Sequence, residues 1–290
     1  MFTLWCGQVF AGGDVVGEPV PKGMGLQIDA SLTKEHLHHF HNLLLYIISG
    51  ITLFVFLLLV YVCVRFRASK NPVPSKTTHN LPLEIVWTLV PVLILVVIAV
   101  PSFRLMYYMD KAPNAQMTLK VTGHQWYWEY TYPDQGDINF SSNIVPAEEI
   151  KAEKGQKRLL STDKWVVLPV DTDVRILTTS ADVIHGFAIP SFGLKKDAVP
   201  GRLNETWTHV KEEGTYYGQC TVICGTNHGF MPMEIKVVSK EVFAEWSEKA
   251  KKDVDAAQIW LAGKIAEQQH ASAVEDSAPQ PLPVSSETAR

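Results

Sequence analysis

Two thiols, an imidazole and a thioether stand close together in the segment Gln219-Cys220-Thr221-Val222-Ile223-Cys224-Gly225-Thr226-Asn227-His228-Gly229-Phe230-Met231-Pro232. Cys220, Cys224, His228 and Met231 fall within twelve residues, and His185 lies 35 residues before Cys220, in Asp182-Val183-Ile184-His185-Gly186-Phe187. Thiolate and thioether sulfur are soft donors that suit copper, and imidazole suits both of its oxidation states. One Cys, two His and a weak Met make the mononuclear blue-copper pattern. Here there is a second Cys. Two thiolates can bridge two metal ions and leave one imidazole for each, so the five side chains read as a two-copper set. Two other uses stay open. Cys220 and Cys224 can form a disulfide in an oxidising compartment, which leaves His228 and Met231 unexplained beside them. Zinc takes Cys2His2 sets with closely spaced pairs, but His185 stands alone upstream and Met is a poor zinc ligand.

Donors from two distant segments need a rigid scaffold. From Met117 to about Val238, short stretches rich in Val, Ile, Thr, Trp and Tyr are broken by Gly, Pro, Asn and Asp. Examples are Met117–Val121, Gln125–Tyr132, Lys164–Pro169, Val174–Thr179, Glu205–His209, Thr215–Gln219 and Met233–Val238. This spacing predicts a β-sandwich or barrel. The charged residues 147–161 read as a solvated insertion. After Lys240, apolar residues recur every three or four positions (Phe243, Trp246, Ala250, Val254, Ala257, Leu261), which predicts one amphipathic helix. The Ser-, Pro-, Ala- and Glu-rich sequence beyond His270 predicts a disordered tail.

Residues 42–64 carry no charged side chain, and about twenty such residues in a helix span a bilayer's hydrocarbon core. A second uncharged run, 85–103, contains Pro91 and Pro101 and is flanked by Trp87, Tyr107 and Tyr108. Two buried helices of a soluble domain are the alternative, but both runs approach the length of a membrane span. The connecting loop carries Arg65, Arg67, Lys70 and Lys76 with no acid before Glu84, which predicts that it is cytoplasmic. The organisation read from the chain is therefore an N-terminal arm (1–40), a two-helix transmembrane hairpin (41–110, loop about 65–82), a β domain (111–240), and a helix with a disordered tail (241–290). Within the arm, the apolar stretch in residues 1–13 is compatible with a processed leader but lacks a positive start. His36, His38, His39 and His41 read as a polar helix start at the membrane surface in preference to a metal site. With 26 Lys+Arg against 30 Asp+Glu, nothing marks a nucleic-acid binder, and four Cys do not make a disulfide framework.

The metal-type loop resembles that of the CuA-containing cytochrome c oxidase subunit II family, one of the haem–copper oxidases. So do Gly123-His124-Gln125-Trp126-Tyr127-Trp128, Pro190-Ser191-Phe192-Gly193-Leu194-Lys195 and Asp197-Ala198-Val199-Pro200-Gly201-Arg202, and the resemblance covers roughly residues 35–240. It implies a membrane α-hairpin of two transmembrane helices followed by an all-β cupredoxin-like sandwich. It implies a binuclear copper centre, CuA, held by His185, Cys220, Cys224, His228, Met231 and the backbone carbonyl of Val222. The implied work is to accept electrons from cytochrome c and pass them to the haems of subunit I, where oxygen is reduced to water with proton translocation. Implied partners are subunits I and III, cytochrome c and membrane lipid. The implied location is the bacterial inner (plasma) membrane with the CuA domain in the periplasm; the alternative is the mitochondrial inner membrane with the domain in the intermembrane space.

The same resemblance gives Trp126 the family's role of electron acceptor above the centre, and leaves Trp128 as a sheet-packing aromatic. Glu84 matches a carboxylate at the mouth of a proton channel; by residue type alone it is equally a helix-start acid favoured by the dipole. Glu129, Asp134, Asp137 and Asp182 are candidates for an acidic patch that steers a lysine-rich cytochrome c. Asp197 and Arg202 are assigned to interface ion pairs or to orienting polar groups near the haems. The chain departs from the family at Val222, where the family usually has Glu. A carbonyl survives that substitution. The carboxylate that helps bind magnesium does not, because magnesium demands oxygen ligands, so no magnesium ligand is expected here. A quinol oxidase subunit II would lack the copper cysteines and histidines. A nitrogen-oxide reductase with the same copper centre is disfavoured by the hairpin and Glu84, and a membrane-tethered copper chaperone would not co-purify with a haem-bearing subunit.

Overall fold

The computed structural model describes residues 15–112 and 114–276. The leader-like stretch and residues 277–290 of the tail lie outside them. The two apolar runs form long helices, α1 (Leu32–Arg65) and α2 (Leu81–Asp110). Each starts at a side-chain cap that satisfies one of the free N–H groups of the first turn. Ser31 Oγ accepts from the Lys34 N–H at 3.1 Å, and Asn80 Oδ1 accepts from the Leu83 N–H at 3.2 Å. Pro91 and Pro101 lie inside α2, which runs through both. The most apolar 18-residue window of each helix has none of its residues buried, so these side chains need an apolar medium around them. Helix α1 begins nine residues before the boundary expected from charge alone. The histidines assigned to the arm therefore sit on its first turns, because the Ser31 cap, not the edge of the apolar run, starts the helix.

The β domain is a sandwich of two sheets. Its strands are β1 (Val15–Gly17), β2 (Met117–His124), β3 (Tyr127–Tyr132), β4 (Ile138–Ser142), β5 (Val166–Pro169), β6 (Asp173–Ser180), β7 (His185–Ile189), β8 (Leu194–Ala198), β9 (Asn204–His209), β10 (Gly214–Cys220) and β11 (Pro232–Val238). One sheet has the order β5-β11-β10-β7-β8, with β1 added parallel to β10; the other has the order β4-β3-β2-β6-β9. Alternation is clear on β6, where Val174, Ile176, Thr178 and Ser180 turn inward and their neighbours are half-buried. Trp128, Tyr130, Tyr132, Ile176, Phe187 and Phe192 fill the space between the sheets.

The expected strands are present with their ends moved by one to three residues. Strands β1, β4, β7 and β8 are additional: β1 and β7 pair with β10, β4 pairs with β3, and β7 and β8 pair with each other. The single helix expected after Lys240 is two, α3 (Lys240–Ala250) and α4 (Val254–Asp276). Asp253 Oδ1 accepts from the Ala256 N–H at 3.1 Å and restarts the chain as α4. The predicted stripe is still inward: Phe243, Trp246, Ala250, Ala257 and Leu261 are buried. Helix α4 also continues six residues past His270, where the composition predicts disorder.

The outer end of the hairpin grips the sandwich. Ser31 Oγ and Thr33 Oγ1 donate to the Phe192 carbonyl at 2.7 and 2.8 Å, and the Trp207 indole donates to the Tyr108 carbonyl at 2.7 Å. Ion pairs Lys211–Glu35 (2.6 Å) and Lys196–Asp110 (3.0 Å) tie both helix ends to the β domain.

Candidate metal centre

Strand β7 opens with His185 and the adjacent antiparallel β10 closes with Cys220, so the sheet register alone brings these two donors to one end of the sandwich. The loop from 221 to 231 then returns the chain to β11 and carries the others. Cys220 Sγ lies 3.9 Å from Cys224 Sγ and 4.0 Å from His185 Nδ1. Cys224 Sγ lies 3.6 Å from His228 Nδ1 and 3.5 Å from Met231 Sδ. The Val222 carbonyl oxygen lies 3.3 Å from Cys220 Sγ. All six donors expected from the sequence are thus brought together. The sulfurs are too far apart for a disulfide, which needs about 2.05 Å. His185, Cys220, Cys224 and Met231 are buried. Two thiols, a thioether and two imidazoles, all buried but the half-buried His228, fit copper by the softness of their donors.

The electrostatics fit a cation as well. Burial opposes ionisation of Cys220, but hydrogen bonds from His185 and from the Gly186 N–H (3.5 Å) outweigh it and hold the thiol down to about 6. Cys224 is pushed up to about 12 by burial and by the charge on Cys220. The two shifts run in opposite directions, so the pair favours one thiolate beside one thiol near neutral pH, and a bound cation would favour ionisation of both.

Residues 117–238 match the family described as cytochrome C oxidase subunit II, periplasmic domain, and residues 19–105 match its transmembrane domain. The chain belongs to the cytochrome c oxidase subunit II family. It is 56% identical over 229 residues to a probable cytochrome c oxidase subunit 2 of Rickettsia bellii, covering 79% of this chain and 84% of that one. It is 43% identical over 254 residues to cytochrome c oxidase subunit 2 of Cereibacter sphaeroides, covering 82% and 84%. The periplasmic domain of subunit II of cytochrome oxidase of Bradyrhizobium japonicum is 48% identical, with 50% of this chain and 99% of that chain covered and a TM-score of 0.46. The family's two-part architecture is the one seen here: a membrane hairpin and an external β-sandwich.

The subunit II fold holds the donors through groups that the motif does not reveal. His185 Nε2 bonds to Asp182 Oδ1 at 2.8 Å, and Asp182 is itself fixed by the N–H groups of Gln125 (2.7 Å) and Val183 (2.6 Å). A carboxylate on Nε2 sets the tautomer and leaves Nδ1 free for a metal. Burial works against a charged His185, but its bonds to Cys220 and Asp182 raise its pKa overall. Gly123 on β2 leaves room for the ring: a Cβ there would lie 2.7 Å from His185 Cδ2. The loop is pinned by three donors to two backbone carbonyls. Gln125 Nε2 (2.8 Å) and Trp126 Nε1 (3.3 Å) donate to Cys224 O, and Trp128 Nε1 donates to Met231 O (3.1 Å).

Trp126 is half-buried and lies against the loop; a Cβ at Gly225, whose φ is +128°, would meet its Cζ2 at 2.9 Å. Trp128 is fully buried and packs edge-to-face on His185 at 5.8 Å, so it is more than a sheet-packing aromatic. Glu84 sits on the first turn of α2, at the end of the hairpin far from the sulfurs, where its Oε1 accepts from the Asn80 N–H at 3.2 Å. The four candidate acids do not form one patch. Asp134 accepts from the Thr118 N–H (2.6 Å), six residues down β2 from His124 and so about 20 Å away. Asp137 adjoins β4 at that same far end, beside Ile138, the partner of Tyr132. Glu129 is engaged by His124 (3.0 Å) and Asn139 (2.6 Å), and Asp182 serves His185. The sequence does not foretell this because β3 carries Asp134 and Asp137 away from Trp126.

Proposed function

We propose that this chain is the electron-accepting subunit of a cytochrome c oxidase and that its centre is a copper pair, CuA. The observation that carries this reading is the convergence of His185, His228, Met231 and the Val222 carbonyl on the adjacent sulfurs of Cys220 and Cys224, each within 4.0 Å of one of them. A copper pair held by these residues supplies reversible one-electron transfer. Cys220 and Cys224 would supply its thiolates and His185 and His228 its imidazoles. Asp182 keeps the His185 proton on Nε2, and burial keeps water from the sulfurs. The clamp from Gln125, Trp126 and Trp128 holds the loop still, so the donors rearrange little as charge changes.

Trp126, lying against Cys224 and Gly225, is the point at which cytochrome c delivers electrons in this reading. The haems of subunit I receive them, and subunits I and III are the chain's partners in the bacterial inner membrane, with the sandwich in the periplasm. Glu84 at the cytoplasmic end of α2 lies at the mouth of a proton path. Val222 offers magnesium no carboxylate, so no magnesium ligand is assigned to it.

The test is copper content and electron paramagnetic resonance of the purified complex, wild type and Cys220→Ser. The wild type should carry two coppers per chain and a hyperfine pattern from one electron shared over both nuclei. The variant should lose that pattern and the oxidation of cytochrome c. Wild type that holds no copper after loading with excess copper, or that gives a spectrum localised on a single nucleus, would refute the assignment.

A further inference from the structure

A groove of about 420 Å³ opens between α1 and α2 at the outer edge of the membrane. Its lining mixes two chemistries: His36, His39 and Arg104 are polar or charged, and Phe40, Leu43 and Leu105 are apolar. The depth of these residues follows from the sequence. Arg104 is the first charge after the uncharged run 85–103, and His39 lies three residues before the uncharged run 42–64. Both therefore stand where the hydrocarbon gives way to headgroups.

No carboxylate is among the groove's lining residues. Asp29 pairs with His38 and Asp110 with Lys196, while Glu35, paired with Lys211, also lies near enough to His36 and His39 to interact with them electrostatically. Among the described residues, Arg104 makes no ion pair. Tyr108 forms one wall and is fixed there, edge-to-face with His36 at 4.7 Å and with Trp207 at 5.2 Å. An arginine at a membrane edge, beside an apolar slot and without a counter-charge, calls for an amphiphile with an anionic head.

We propose that this groove binds one anionic phospholipid, with the phosphate on Arg104, His36 and His39 and an acyl chain along Phe40, Leu43 and Leu105. The unpaired Arg104 selects the lipid class. A choline or ethanolamine head would bring a second cation beside it, whereas a glycerol head brings none. Since Tyr108 and Trp207 also form the junction with the sandwich, the lipid braces the hairpin against the β domain.

The test uses the intact oxidase, purified in mild detergent through a tag on this chain. Native mass spectrometry reads retained lipid, and titration with phosphatidylglycerol, phosphatidylcholine and inorganic phosphate reads selectivity. The wild type should retain one anionic phospholipid and prefer phosphatidylglycerol. Arg104→Gln should weaken that binding at least roughly tenfold, as expected for a lost charged hydrogen bond. Leu43→Trp, which fills the groove from its apolar lining and keeps Arg104, should displace the lipid as well, and it decides the matter if Arg104→Gln fails to assemble. Equal lipid retention in wild type and both variants would overturn the proposal. So would inorganic phosphate competing as well as the lipid, or a cross-linker at Leu43→Cys capturing a neighbouring subunit's helix in place of lipid.

Discussion

Replacing Gly123 with alanine adds one methyl group to β2, and the structure says where it goes. The new Cβ would lie 2.7 Å from His185 Cδ2 and 2.9 Å from Cγ. Ordinary contact begins near 3.4 Å, so the ring must retreat by 0.7 Å. It has little freedom to do so. Its Nε2 is held by Asp182 at 2.8 Å, Trp128 packs against it, and none of its surface is exposed. A retreat of that size along the Asp182 bond would stretch it to the 3.5 Å limit of a hydrogen bond. Overpacking of this kind costs about 1–3 kcal/mol. For a domain of this size that lowers the melting temperature by roughly 3–15 °C. The assay is a thermal melt of the metal-free protein together with the resonance spectrum of the copper-loaded one. Gly123→Ala should lower the first and alter the second, because the imidazole no longer sits where the sheet puts it. Gly229→Ala is the control: it lies inside the metal loop, yet its Cβ would meet nothing within 4 Å. It should match the wild type in both measurements. If Gly123→Ala also matches the wild type, packing on β2 does not position His185, and the account of the site is wrong.

Three further outcomes follow from the same geometry. Asp182→Asn should keep the fold but weaken copper retention about 10–100-fold in a chelator competition, since it removes the charge that orients His185; unchanged retention would refute that role. Trp128→Phe leaves the buried Met231 carbonyl without its indole donor and should destabilise the protein by about 1–3 kcal/mol in denaturant titration. The third concerns pH in the metal-free protein. The folded-state pKa of Cys220 lies below the ordinary 9.0, at about 6, so its contribution to stability is full above 9 and lost as pH falls through 6. Cys224, pushed up to about 12, acts in the opposite sense: its contribution is full below 9 and lost as pH rises through 12. The difference in melting temperature between wild type and Cys220→Ala should therefore shrink as pH falls from 9 to 6. A flat difference would show that Cys220 is not held as a thiolate.

The metal donors are legible in the sequence because five of the six are distinctive side chains, four of them in one short loop. The membrane helices are legible because a span is a matter of length and charge. Strands β1, β4, β7 and β8 are not. His185–Ile189 is buried at every residue and shows no alternation, while Leu194–Ala198 carries two lysines and an aspartate. Both are strands because each offers the other a partner, which is a property of pairing and not of propensity. The break between α3 and α4 is hidden for a related reason. The apolar stripe stays in phase across it, so periodicity alone sees one helix where the Asp253 cap makes two.

The same distinction explains why the support of the site is invisible when its donors are plain. A ligand is recognised by what its side chain can do. A clamp is recognised by what it holds, and here it holds the carbonyls of Cys224 and Met231, which any residue would offer. Gln125, Trp126 and Trp128 all belong to the β2–β3 hairpin, in the sheet opposite the one that ends in Cys220. The metal loop is thus fastened across the sandwich: its ligands come from one sheet and its anchors from the other. The centre's geometry therefore depends on the two sheets keeping their separation. A core substitution between them, well away from any sulfur, should alter the copper spectrum before it unfolds the protein.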